Sequence, residues 1–203
     1  MEKLKDVGWT FVPAGELERE GYDEPLLIPN LLRAIQRINK GIGDEEIRQV
    51  LNRLKFAGTG IEGSKQILRF YKEGVPIKLE KERVVSYVQL FDYDHLDSNE
   101  FIVSRQVVHD GRERRRMDIM LYVNGIPLVN IECKNPASIS ESWENAFRDI
   151  KKYEKDIPEL YKYVQIGVAA ESEIRYFLSL IHISEPTRPL YTTYAVFCLK
   201  KNK

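Results

Sequence analysis

The sequence predicts an α/β domain in which a central mixed sheet is flanked by helices. Three observations predict it. Apolar residues recur at three- and four-residue steps through the first third of the chain. The middle holds runs rich in β-branched and aromatic residues. Two of those runs flank Asn124-Gly125, a dipeptide suited to a two-residue hairpin. The resulting order is helices, four strands, a helix and a last strand, which needs both strand pairing and helical cover.

Each element follows from local pattern. Residues 1–24 read as a polar, irregular segment with Trp9 and Phe11 as anchors. From Pro25 onward, Leu27, Ile28, Leu31, Leu32, Ile35 and Ile38 make one apolar helical face, stopped by Asn39-Lys40-Gly41. Asp44 caps a second helix, with Glu45 and Glu46 in its first turn and Ile47, Val50, Leu51 and Leu54 inward. Gly58, Gly60 and Gly63 separate it from a third helix at 65–73, which ends at Gly74-Val75-Pro76. Strands are expected at 84–91 and 101–108, around a polar loop at 92–99. Four arginines, Arg112, Arg114, Arg115 and Arg116, fill the next loop. Residues 117–123 and 128–133 form the hairpin arms. Ser140 caps a helix running to about Asp156, with Trp143, Phe147, Ile150 and Tyr153 along a core side, and 163–169 is a buried strand.

Composition narrows the class. With 43% hydrophobic residues, the chain of 203 can bury a core, which excludes a disordered tail or a collagen-like fibre. The 31 basic and 31 acidic residues cancel, so any electrostatic footprint for nucleic acid must be local. Cys133 and Cys198 cannot make a disulfide framework, in keeping with a reducing compartment. No leader and no run near the roughly 20 apolar residues of a membrane span is visible, so the expectation is a soluble, cytoplasmic protein without membrane contact.

Residues 178–188, LSLIHISEPTR, fit nothing before them and read as a translated sequencing adapter, with 194–203 as its distal end. The expectation is a natural segment ending near Phe177 and a non-native tail at 178–203, in which His182 and Cys198 carry no function. An ordinary amphipathic C-terminal segment is the alternative.

The chemistry concentrates between Arg116 and Pro136, where Asp118, Glu132 and Lys134 interrupt apolar strands. Charges there need partners or a metal. Glu132 and Lys134 share a strand face, and folding at Asn124-Gly125 brings Asp118 opposite Glu132 or within one residue of it. Two carboxylates make a hard site suited to Mg²⁺, which takes few protein ligands and keeps water or phosphate oxygens. Such a site serves phosphodiester hydrolysis, with Lys134 positioning or deprotonating water or stabilising developing charge. An exposed ion-pair ladder without function fits the same residues. Cys133, between the two, faces the core. His95 and His109 lack partners at ligand spacing, and no glycine-rich loop of the Walker type offers an ATP site.

Aspartate, 13 residues, Glu-x-Lys is the PD-(D/E)xK nuclease signature, here with Met117 in place of the proline. Around it the chain resembles the N-terminal nuclease domain of the restriction subunit of type I restriction-modification enzymes. The resemblance runs through Arg37-Ile38-Asn39, Phe70–Pro76, 84–99, the 118–136 block and Tyr153–Leu160, within 21–177. It implies a restriction-endonuclease-like core at 25–177, Asp118 and Glu132 as Mg²⁺ ligands, and Lys134 as the catalytic lysine. It also implies double-stranded DNA as substrate, an ATP-driven translocase downstream, and modification and specificity subunits as partners. The family's Gln-x-x-x-Tyr element places Tyr153 on its tyrosine and Asp149 where glutamine is expected. Related nucleases carry a glutamate on the first helix near the metal, which points to Glu24. Arg112, Arg114, Arg115 and Arg116 are candidate phosphate contacts. A cleavage-deficient DNA-binding or assembly module of the same fold is the alternative function.

Overall fold

The computed structural model describes residues 2–79, 84–135, 142–171 and 174–178. Its elements begin with α1 (Glu2–Asp6) and β1 (Thr10–Phe11), followed by α2 (Ile28–Ile38), α3 (Asp44–Lys55) and α4 (Gly60–Glu73). The strands β2 (Val75–Leu79), β3 (Val84–Val88), β4 (Phe101–His109), β5 (Arg115–Val123) and β6 (Ile126–Cys133) come next. Then come α5 (Trp143–Asp156), α6 (Pro158–Tyr161), β7 (Ile166–Ala170) and β8 (Ile174–Leu178). Six strands form one sheet in the order β1-β4-β5-β6-β7-β8. The β1–β4 and β6–β7 pairs are parallel and the others antiparallel. This is the expected mixed α/β core.

Strand alternation gives the sheet two apolar faces. Leu121, Val123 and Val129 pack with Leu31, Ile35, Val50, Leu54, Ile67 and Phe70 of the leading helices. Met120 and Tyr122 pack with Ile150, Ile157, Leu160 and Tyr161 from the α5–α6 side. The hairpin turn ties the layers together. Asn124 (φ 52°) and Gly125 (φ 78°) both take the left-handed conformation that a two-residue turn requires. Asn124 is fully buried, donating to Leu90 O and Asn99 Oδ1 and accepting the Glu100 N–H. Gly125 O accepts the Leu27 N–H, so α2 starts on the turn itself.

Several expectations need revision. The 1–24 segment is not irregular throughout: it holds α1 and β1, β1 pairs with β4, and Trp9 is buried edge-on against Phe101, whereas Phe11 is exposed. The segment after Gly74 is a strand despite Pro76, because β2 and β3 form a separate two-stranded ribbon in which Pro76 faces Tyr87. Thus 84–91 does not enter the central sheet. Helix α4 begins at Gly60 and contains Gly63, where a Cβ would fall 1.6 Å from Gly58 O. That glycine permits close approach rather than ending a helix. On α5 the buried side chains are Ala146, Ile150 and Glu154, whereas Trp143 and Phe147 are half-buried under Arg175 and Phe177. Strand β8 adds an edge strand beyond the expected last one, and its Phe177 ring occupies the space a side chain at Gly167 would need. Ser140 and residues 179–203, with most of the adapter-like segment, lie outside the described residues.

Candidate active site

The β5–β6 ladder pairs Met120 with Asn130 and Ile119 with Ile131. One step further, the predicted Asp118 and Glu132 stand opposite each other at the end of the hairpin. They meet through the main chain: the Asp118 N–H donates to Glu132 Oε1 at 3.2 Å. The two carboxylates then diverge. Glu132 turns toward α5, where Oε2 accepts the Tyr153 hydroxyl at 3.4 Å. Asp118 caps the strand ends: Oδ2 accepts the Cys133 N–H at 2.9 Å, and Oδ1 accepts Gln106 Nε2 at 2.9 Å.

Lys134 follows Glu132 by two residues and faces the same helix, its ammonium 2.7 Å from Asp149 Oδ2. Asp149 and Tyr153 are four residues apart on α5 and so share a helical face. That spacing matches the two-residue step between Lys134 and Glu132, and the pairs engage side by side. Lys134 also extends the parallel pairing, its N–H donating to Ala170 O.

Electrostatics separate the two acids. Glu132 is only 3% exposed. Burial pushes its carboxyl up to about 8, and the nearby Asp118 charge adds to the rise, while the Asp118 N–H and Lys134 pull the other way. Tyr153 is held well above the ordinary phenol range, by burial first and then by the Glu132 charge. A buried acid beside a second carboxylate gains stability in its charged form from a cation. The donor set therefore fits a hard divalent ion. Among the described residues no three His, Cys, Asp or Glu side chains gather at ligand spacing.

A cleft of about 530 Å³ opens beside Asp118, lined by Arg105, Gln106, Lys134 and Asn135 together with Leu4, Ile119 and Cys133. Cys133 is thus exposed rather than in the core, because its side of the strand end lines the cleft; partial burial and the nearby Asp118 and Glu132 charges raise its thiol. Arg105 and Gln106 carry no motif and escaped notice in the sequence. Gln106 has φ 54° in the middle of β4, a left-handed conformation that costs a non-glycine residue about 1–3 kcal/mol and clusters at functional sites.

Glu24 is elsewhere engaged. It precedes α2 rather than lying on a helix, and its carboxylate accepts Lys55 Nζ at 2.7 Å and the Leu26 N–H. The arginines divide into two groups. Arg114 pairs with Asp110 and covers the Tyr22 ring; Arg115 bridges Glu113 and Asp156. Arg112 and Arg116 are exposed. Arg115 and Arg116 open β5 instead of sitting in a loop. His109 is buried, and burial holds its imidazole down to about 4.

The six-stranded mixed sheet with its helical cover is a restriction-endonuclease-like α/β core. A family model described as the type I restriction enzyme R protein N terminus matches residues 1–182. The chain belongs to that family. It is 30% identical over 188 residues to an inferred type I restriction enzyme endonuclease subunit, MjaIXP, of Methanocaldococcus jannaschii, covering 84% of this chain and 18% of that protein. It is 31% identical over 170 residues to the SsaAORF53P endonuclease subunit of Staphylococcus saprophyticus, covering 83% and 17%. The HindI endonuclease subunit of Haemophilus influenzae is 24% identical over 184 residues, covering 84% and 17%. The chain spans less than a fifth of the length of these relatives. No helix among the described residues is long and apolar enough to cross a membrane.

Proposed function

We propose that this chain is the Mg²⁺-dependent DNA endonuclease domain of a type I restriction enzyme R subunit, hydrolysing phosphodiester bonds of foreign double-stranded DNA in the cytoplasm. The observation that carries the reading is the junction of Asp118 and Glu132 at the hairpin end, with Lys134 on the Glu132 side. Asp118 and Glu132 would hold the ion. When bound, it would supply charge neutralisation at the phosphate and Lewis acidity toward water.

The chain's own residues prepare that site. The Cys133 N–H holds Asp118, and the Tyr153 hydroxyl orients Glu132. Burial of Glu132 keeps bulk water from competing for its oxygens. Lys134 brings an ammonium to the same edge, directed by Asp149, where it stabilises negative charge developing on a phosphate oxygen. Arg105, Arg112 and Arg116 offer exposed cations to neighbouring phosphates. The relatives' names support this reading, since each is called an endonuclease subunit. By that likeness the complete subunit carries the ATP-driven translocase downstream and assembles with modification and specificity subunits.

The Lys134–Asp149 pair favours one second reading. A lysine already engaged by an acid suits a cleavage-deficient module that binds DNA or partner subunits. One comparison separates the two. In the full-length subunit with its partners, Asp118→Ala and Lys134→Ala should abolish cleavage while ATPase and DNA binding persist. Cleavage surviving both substitutions rules out the nuclease reading; a wild type that binds but never cuts establishes the second.

A further inference from the structure

We propose that Gln106 is the positioning residue for the Asp118 carboxylate, and that its left-handed backbone exists to aim its amide there. The inference rests on the metal reading of Asp118 above. Neighbouring pairs Arg105–Ile119 and Val107–Met117 flank the Gln106–Asp118 row, yet Gln106 itself makes no ladder pair. Val103 lies on the α2–α4 side and Ile102 on the α5 side, but Val107 joins the α5 side as well. Strict alternation from Ile102 would put Val107 with Val103. The φ of 54° at Gln106 marks the row where β4 changes its facing, with the β4–β5 register the same on either side.

The change of facing delivers one contact. Gln106 Nε2 donates to Asp118 Oδ1 at 2.9 Å, while Oδ2 is held by the Cys133 N–H. Each carboxylate oxygen thus has one fixed donor and keeps acceptor capacity facing the cleft that both residues line. A carboxylate held at both oxygens cannot rotate, which is what a ligand needs before an ion arrives. Groups that orient metal ligands typically change metal affinity by roughly 10–100-fold when removed. Strain at Gln106 supplies a second, opposite signature, because glycine adopts this φ freely.

The test uses Mn²⁺ as probe, with binding to the 203-residue chain read by electron paramagnetic resonance and thermal unfolding read separately. Gln106→Gly should weaken Mn²⁺ binding about tenfold while melting no lower than wild type. Gln106→Met, similar in length but without an amide, should weaken binding equally. Binding within twofold of wild type in either variant overturns the proposal, as does a Gly variant that melts lower. Asp118→Ala separates this inference from its premise. If that variant loses Mn²⁺ while Gln106→Gly keeps it, only the role of Gln106 fails. If Asp118→Ala binds as wild type does, the metal site itself fails.

Discussion

Lys134 and Asp149 form a partly buried ion pair, Nζ to Oδ2 2.7 Å, joining the end of β6 to the first half of α5. The side chains are 20% and 27% exposed, so solvent screens the pair only in part. Asp149 stands where the resemblance expects glutamine. An amide oxygen could also accept from the lysine, but the carboxylate adds charge to the contact.

Replacing Asp149 should therefore separate charge from reach. Asp149→Ala is expected to lower stability by about 1 kcal/mol and to slow cleavage by the full-length subunit about tenfold, a rise of about 1.4 kcal/mol in the barrier. Asp149→Gln should retain most of both. Denaturant unfolding and single-turnover cleavage measure the two effects; a glutamine variant as slow as the alanine one would show that the negative charge itself is required.

Glu132 makes stability depend on pH. Its folded carboxyl titrates at about 8, raised by burial, against about 4.3 in an unfolded chain. Between those values the folded state keeps a proton that the unfolded state has lost. Stability is therefore full below the unfolded value and declines toward pH 8, by up to about 1.4 kcal/mol per unit. Glu132→Gln should remove this slope. Melting temperatures of both proteins from pH 5 to 9 should diverge, the variant gaining on wild type as pH rises; parallel curves would refute the buried-acid account.

The turn tolerates no side chain at Gly125. A Cβ there would lie 2.4 Å from Leu27 O and 2.9 Å from Leu31 N, at a φ of 78° that L-residues avoid. Gly125→Ala should destabilise by roughly 2–3 kcal/mol. Urea unfolding gives the value, and a loss under about 0.5 kcal/mol would mean that α2 docks less rigidly than its Leu27–Gly125 hydrogen bond indicates.

The arginines should differ in DNA binding. Arg116 is exposed, whereas Arg115 is committed to Asp156 and Glu113. Arg116→Ala should reduce the salt slope of DNA binding by about one counterion. Arg115→Ala should instead lower stability and leave that slope in place. Titrations at several salt concentrations distinguish them, and equal slopes for Arg116→Ala and wild type would exclude a phosphate contact.

What the sequence alone determined is local: the helices of the first third, the hairpin at Asn124-Gly125, and the opposition of Asp118 and Glu132. Periodicity and turn chemistry depend on residues close along the chain, and both are written in its order. The placement of β3 beside β2, the entry of β1 into the sheet, and the exposure of Cys133 depended on which surfaces meet across long separations. So did the site's supporting contacts. Tyr153 on Glu132 and Asp149 on Lys134 require α5 to return against β6, and Gln106 reaches Asp118 where the backbone of β4 turns left-handed beside β5. Glu24, read from likeness alone, went to Lys55 because its segment precedes α2 and runs beside α3. Only tertiary packing could choose among those partners, since each carboxylate or amide in isolation has many.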